Sequence, residues 1–78
     1  MTALTLAPQN ANVYSVHTQS GVHVGNLKRI GVVWKFKAIG YGAAGDVLPG
    51  GGPLTHHHNA VFDCPDAQAV SQRLSDSL

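Results

Sequence analysis

Residues 32–41 read VVWKFKAIGY, a run in which large apolar side chains alternate with lysines. A period of two places successive side chains on opposite faces of a β-strand. One face of this strand would carry an aromatic stripe and the other two lysines: Val32, Trp34, Phe36 and Ala38 against Val33, Lys35, Lys37 and Ile39. The run therefore predicts the central strand of a sheet that has one buried face.

Two earlier segments carry the β-branched and aromatic residues that are typical of strands. They cover residues 12–17 and 22–28, and the turn sequence TQSG separates them. Gly25 marks a candidate β-bulge in the second of these strands. Gly31 offers a left-handed position for the hairpin that leads into the central strand. Residues 57–62 are a candidate fourth strand.

The C-terminal segment DCPDAQAVSQRLSDSL predicts one amphipathic helix over residues 65–76. Its apolar stripe recurs at i, i+3, i+4 and i+7: Ala67, Val70, Ser71 and Leu74. Pro65 suits the first helical position, and Asp66 suits the positive end of the helix dipole. Cys64 would then occupy the N-cap, where Ser or Asp is commoner.

These elements predict a small α+β domain, a two-layer sandwich with the order β-β-β-(β)-α. An antiparallel sheet of three to four strands would have one face covered by the C-terminal helix, with Trp34 and Phe36 packed against Val70 and Leu74. The 78 residues are enough for one domain. We expect it over residues 12–78, after a flexible tail formed by residues 1–11. One short helix leaves the other sheet face to water or a partner.

Charged residues are few and unevenly distributed. They make up 12% of the chain, about half the usual fraction. Residues 1–45 hold four cations and no acid, whereas residues 46–78 hold four Asp and one Arg. The four cations lie on two strands that a hairpin joins, and Tyr41 could add a stacking ring: Lys28, Arg29, Lys35, Lys37 and Tyr41. A basic hairpin with aromatic rings predicts a surface for single-stranded nucleic acid.

The segment PGGGPLTHHHN, residues 49–59, resembles a phosphate-binding loop only in its glycines. Phosphate loops continue into a helix and often supply a lysine, but here Pro53 follows the glycines and no lysine is present. We therefore interpret the segment as a chain reversal. On a strand, His56 and His58 would project to the same side and could bind a metal with Cys64. The remaining ligands of a zinc ion would have to be Cys64, His17, His23 or an Asp, and nothing in the spacing requires them to meet.

The remaining features exclude several classes of protein. No apolar run approaches the roughly 18 residues that span a membrane, the N-terminus lacks a basic signal-peptide region, and one cysteine cannot form an internal disulfide. We expect a cytoplasmic protein without membrane association, cofactor or catalytic residues. The segments GNLKRIGVVWKFKAIGY and PGGGPLT resemble those of small bacterial proteins, and no functional residue follows from that resemblance.

Our first functional hypothesis is a non-enzymatic interaction module that docks to a protein partner or self-associates as a homodimer. The contact would use a sheet face or an uncharged strand edge such as NVYSVH. The alternative is weak binding of single-stranded nucleic acid by the basic hairpin. The third hypothesis is a metal- or thiol-dependent site at His56, His58 and Cys64.

Overall fold

The computed structural model describes residues 3–74. The elements in chain order are β1 (Leu4–Asn10), β2 (Val13–Thr18), β3 (His23–Ile30), β4 (Val33–Tyr41), β5 (Val47–Pro49), a 3₁₀ turn (Thr55–His57), β6 (Val61–Phe62) and α1 (Ala67–Leu74). The strands pair antiparallel in the order β1-β2-β3-β4-β5, and β6 also pairs with β4. The predicted small α+β fold with an antiparallel sheet and one helix is confirmed. The described sheet has six strands rather than three to four.

Strand β1 replaces part of the flexible tail that the sequence predicted over residues 1–11. Its register places Leu6 opposite Val16 and Pro8 opposite Tyr14. Leu4 donates its backbone N–H to Ser71 Oγ of α1 at 2.9 Å, so that N–H points away from β2. Pro8, four residues later, has the same orientation, and a proline nitrogen that faces outward removes no ladder hydrogen bond. The expected tail is therefore corrected to an edge strand over residues 4–10.

The predicted alternation along the central strand is confirmed in β4. Trp34, Phe36 and Ala38 are buried, while Lys35 and Lys37 are half-buried on the other side. The β3–β4 turn consists of residues 31–32, and Gly31 takes the expected positive φ of 64°. Val32 lies in this turn and is 89% exposed, so it does not join the buried stripe.

The far edge of β4 is hydrogen-bonded by three separate segments. β5 pairs with its C-terminal end and β6 with its N-terminal end. Between them, the backbone N–H groups of Gly50 and Asn59 donate to the carbonyl oxygens of Ala38 and Phe36, both at 2.7 Å. His58 Nδ1 accepts the Ala38 N–H at 3.1 Å. The loop over residues 50–59 thus leaves the β4 edge and returns to it.

One face of the sheet forms the core together with α1 and the 50–59 loop. Its buried apolar residues come from strands, loop and helix alike: Leu4, Val16, Val24, Leu27, Trp34, Phe36, Ala38, Leu54, Phe62, Val70 and Leu74. The predicted meeting of Trp34 and Phe36 with Val70 and Leu74 is part of this cluster. Leu54 has no exposed surface, so the loop is part of the core cover.

The helix begins at Ala67, two residues later than its sequence suggests. Asp66 is the N-cap, because its Oδ1 accepts the backbone N–H of Gln68 at 3.0 Å. Cys64 lies two residues before the cap, which corrects its expected place at the helix terminus. The helix ends at Leu74 among the described residues, and residues 75–76 of the predicted span lie outside them.

Replacing the capping carboxylate should destabilise the domain more than replacing the thiol. We expect Asp66→Ala to lower the free energy of unfolding by about 1 kcal/mol, because an orphaned helical N–H loses its acceptor. Cys64→Ala, at an exposed position, should change it by less than about 0.5 kcal/mol. Urea denaturation measures both variants, and equal losses would contradict the cap assignment.

Candidate binding face

The sheet face opposite α1 has no helix over it among residues 3–74, and we call it the open face. Residues that are directly paired across antiparallel strands lie on the same face. Lys28 is paired with Lys35, and Asn26 is paired with Lys37. Since Lys35 and Lys37 alternate with core residues, all four side chains lie on the open face. Tyr41 continues this alternation at the end of β4.

Arg29 is the one predicted surface residue that does not lie on the open face. It is paired with Trp34, whose ring is part of the core, and its Nε donates to the carbonyl oxygen of Gly31 at 3.4 Å. The structure therefore brings together Lys28, Lys35, Lys37 and Tyr41 and places Arg29 on the opposite side. This corrects the basic hairpin to three lysines.

The lysine side chains of the open face carry positive charge that no described residue neutralises. The side chains of Lys28 and Lys35 have neither a hydrogen bond nor an ion pair within residues 3–74. Lys37 Nζ donates to Asn59 Oδ1, an uncharged partner. Like charges directly opposite each other on two strands are destabilising. The face therefore keeps an arrangement that folding alone does not favour.

Carboxylates are absent from the strand positions of the described chain. The sequence has no Glu. Asp46 lies in the turn before β5, Asp63 follows β6, and Asp66 caps α1. The uneven charge distribution of the sequence thus becomes a positive sheet face with acids in turns and at the helix start.

A polar cluster that the sequence analysis did not identify lies beside the lysines. A cavity of about 260 Å³ is lined by Gln9, Ser15, His17, His23 and Asn26. Ser15 is only 5% exposed. Its Oγ accepts a hydrogen bond from Gln9 Nε2 at 3.0 Å and lies 2.9 Å from His17 Nε2. The cluster has a buried hydroxyl at its base and ring and amide groups around it.

The two histidines of this cluster meet because of a β-bulge. Val16 pairs with Gly25 while His17 pairs with His23, so Val24 is the extra residue, and the bulge indicated by Gly25 is confirmed. The two imidazole rings stack with centroids 4.8 Å apart. The shift of one residue is what brings His23 onto the open face.

His23 also connects the cluster to Tyr41 and Asn26. Its Nδ1 lies 3.2 Å from the Tyr41 hydroxyl, and its Nε2 lies 3.0 Å from Asn26 Oδ1. Because the amide oxygen can only accept, Nε2 carries a proton, and in the neutral ring the tyrosine hydroxyl donates to Nδ1. Three side chains of the open face are thereby held in fixed orientations.

Apolar side chains border the lysines at the end of the sheet near the β3–β4 turn. Ile30 is paired with Val33, and Val61 is paired with Lys35. Ile30 is 45% exposed and Val61 is 43% exposed. Val13 is paired with Lys28. We call Ile30, Val61 and Val13 the apolar rim.

The histidine run does not form the site that the sequence suggested. Residues 55–57 form a 3₁₀ turn, and the strand expected over residues 57–62 is limited to Val61–Phe62. His56 and His58 are therefore not alternate residues of one strand, and His58 Nδ1 is bonded to the β4 backbone. Within residues 3–74, no group of three or more His, Cys, Asp or Glu is placed to hold a metal ion.

Cys64 lies apart from the histidine run. Its side chain is exposed and borders a second cavity of about 280 Å³, whose lining among the described residues contains no histidine. Arg73 lies in the same lining, with its guanidinium carbon 4.7 Å from the centroid of the Phe62 ring.

The glycines of PGGGP allow the loop to approach β4 closely. Gly52 has a φ of +83°, and a Cβ there would lie 2.1 Å from the carbonyl oxygen of Ile39. Only glycine avoids this overlap between two backbones. The segment therefore acts as the chain reversal that the sequence indicated.

Comparison with protein-family models, with curated proteins and with solved structures finds no match for the chain. Across residues 3–74, no helix has both the length and the apolar character required to cross a membrane.

Two adjacent glycines of the loop should tolerate alanine very differently. Gly52→Ala should lower the free energy of unfolding by at least about 2 kcal/mol, because a Cβ is strained at this φ and overlaps a carbonyl oxygen. In Gly51→Ala the nearest atom to the new Cβ, the Leu48 carbonyl oxygen, lies at 3.3 Å, so its loss should be much smaller. Thermal or urea unfolding compares them. Similar losses would contradict the close approach of loop and strand.

Proposed function

We propose that this protein is a non-enzymatic binding module whose open face binds single-stranded nucleic acid. The observation that carries the proposal is the directly opposed pair of Lys28 and Lys35, which has no counter-charge within residues 3–74. Retaining such a pair costs stability, and local conflicts with folding are concentrated at functional sites. A chain of phosphates over the face would supply the missing negative charge.

Phosphate is the best complement to these side chains because lysines attract it as point charges and because binding releases condensed counterions. Lys37 lies two residues after Lys35 on β4, and Asn26 opposite it adds an uncharged hydrogen-bonding group. The basic row is therefore continuous across two strands. Strand positions with no carboxylate impose no repulsion on a polyanion.

The shape of the surface favours a single strand over a duplex. A sheet face that combines cations with exposed rings binds unstacked bases. Tyr41 is 50% exposed at the far end of β4 from the apolar rim. Lys35 and Tyr41 are six residues apart, which corresponds to about 20 Å along a strand. A ligand that contacts both must be an extended chain rather than one nucleotide.

Contact through the edge that the sequence suggested for a homodimer is not available. The segment NVYSVH is mostly β2, which is paired with β1 on one side and β3 on the other. Stacking of two open faces by a twofold axis would place lysines against lysines. These two points lead us to rank nucleic-acid binding above self-association.

Self-association stays the second candidate because of the apolar rim. Ile30 and Val61 are each more than two-fifths exposed, and Val32 at the neighbouring turn is 89% exposed. Contiguous exposed apolar side chains are typical of surfaces that contact another protein.

Charge removal at adjacent positions of β3 tests the nucleic-acid proposal. We expect Lys28→Gln to weaken binding of a short single-stranded oligonucleotide roughly three- to tenfold and to reduce the salt slope by about 0.7. Arg29→Gln removes the same charge from the opposite side and should change the affinity much less. Fluorescence anisotropy at low and moderate salt measures both variants.

The stability of the same variants separates binding from folding. Lys28→Gln removes a like-charge contact, so it should raise the free energy of unfolding by roughly 0.2–1 kcal/mol while binding becomes weaker. The proposal is overturned if the unmodified protein binds no oligonucleotide at low salt. It is also overturned if both variants lose affinity equally.

The second candidate predicts a concentration-dependent mass. The mass measured by light scattering should approach twice the chain mass as the concentration rises. Val61→Lys should restore the monomer mass, because it places a charge within the apolar rim. Val22→Lys, at a similarly exposed valine in the β2–β3 turn, is the matched control and should leave the mass unchanged. A monomer mass at every concentration would eliminate this candidate.

A further inference from the structure

We infer that the cavity lined by Gln9, Ser15, His17, His23 and Asn26 is a binding pocket for one nucleobase. The inference rests on the proposed function and adds to it, because lysines attract any polyanion whereas this pocket would read the base. Base edges specify sequence, and phosphate contacts fix position. The pocket and the lysines would divide these two tasks between neighbouring parts of one sheet face.

The position of the cavity suits a nucleotide whose phosphate lies on the lysines. Asn26 lines the cavity and is directly opposite Lys37 on β4. Ser15 is paired with Asn26 on the other side, so the cavity lies over β1, β2 and β3 next to the basic row. A base that turns towards β2 keeps its backbone near Lys37 and Lys28.

The amides of the pocket retain unused hydrogen-bonding groups of both kinds. Both amide hydrogens of Gln9 are used, on the carbonyl oxygen of Ala7 at 3.2 Å and on Ser15 Oγ at 3.0 Å. Its Oε1 has no donor within residues 3–74. Asn26 Oδ1 accepts from His23, which leaves the Asn26 NH₂ group without an acceptor there. One free acceptor and one free pair of donors therefore border the same cavity.

This combination matches the chemistry of nucleobases. Their Watson–Crick and Hoogsteen edges present donors and acceptors next to each other, and single-stranded binding exposes those edges. Lysine or arginine alone can only donate. The amides of Gln9 and Asn26 can complement both kinds of group on one base.

The pocket groups are also fixed before any ligand binds. Gln9 is held by two hydrogen bonds, and Asn26 is held by His23, which is bonded to Tyr41 and stacked on His17. Side chains that are already ordered lose less entropy on binding. Ser15, 5% exposed, closes the base of the cavity.

The size of the cavity limits the ligand to a small group. Its volume of about 260 Å³ lies below the roughly 300–1,000 Å³ that drug-sized ligands occupy. One heterocyclic base is a ligand of that size, whereas a folded nucleic acid is not.

Base preference is the property that tests the pocket. We would measure the affinities of short oligonucleotides of deoxythymidine, deoxyadenosine and deoxycytidine for the unmodified protein and for Gln9→Met and Asn26→Asp. The unmodified protein should prefer one base at least fivefold. Each variant should change the base preference at least threefold. Gln9→Met should leave the salt slope unaltered, because it removes no charge.

Gln68→Met is the matched control, because it makes the same chemical change on an exposed residue of α1. It should keep the preference of the unmodified protein. Lys28→Gln should weaken all three oligonucleotides by the same factor. A second measurement needs no variant: the Asn26 side-chain NH₂ resonances should shift when the preferred oligonucleotide is added, and those of Gln68 should not.

The outcomes of these experiments distinguish failure of the base-pocket inference from failure of the proposed nucleic-acid binding. If the protein binds all three oligonucleotides with equal affinity and Lys28→Gln weakens that binding, the inference of a base-binding pocket is overturned and the proposed function stands. Unshifted Asn26 amide resonances on a saturated protein also overturn the pocket. Absence of binding to every oligonucleotide at low salt overturns both.

Discussion

Strand β4 has hydrogen-bond partners along both of its edges, and the other elements are arranged around it. On one side it pairs with β3 in a continuous register. On the other side it bonds β5, Gly50, His58, Asn59 and β6 in turn. Since these partners come from separate parts of the chain, the loop between them must leave the strand and return. That path carries Leu54 over the core and completes its cover.

The two faces of the sheet are governed by different requirements. The core face is apolar. Every buried side-chain polar atom within the described residues has a hydrogen-bond partner. The open face holds opposed lysines, stacked imidazoles and half-exposed apolar residues, which a folded chain does not need for its own stability. The binding that we propose for this face would use these groups.

Side-chain period and composition predicted those features that depend on short stretches of sequence. The alternation in residues 32–41 assigned Trp34 and Phe36 to the core and Lys35 and Lys37 to the other face. The same period of two already requires Lys28 and Arg29 to face opposite ways, so their grouping into one patch could have been avoided. Strand β1 was not predicted, because it contains Pro8 and a proline is tolerated in a strand only at the edge of a sheet.

Other features depend on contacts between distant residues. The pairing of His17 with His23 follows from a bulge whose position only the register reveals. The loop role of PGGGPLTHHHN depends on its return to β4, and no local pattern encodes that return. Asp66 caps α1, whereas the sequence analysis placed Cys64 at the N-cap and Asp66 within the first turn.

The bond between Leu4 and Ser71 joins residues 67 positions apart and thereby links the first strand to the helix. The hairpins from β1 to β4 connect neighbours in sequence, whereas this contact joins the two ends of the described chain. Closing so long a loop carries an entropic cost that grows slowly with its length. Leu4 and Ser71 each donate to the other, so the outer strand and α1 complete each other's hydrogen bonds, and loss of either end of the described chain would weaken the other.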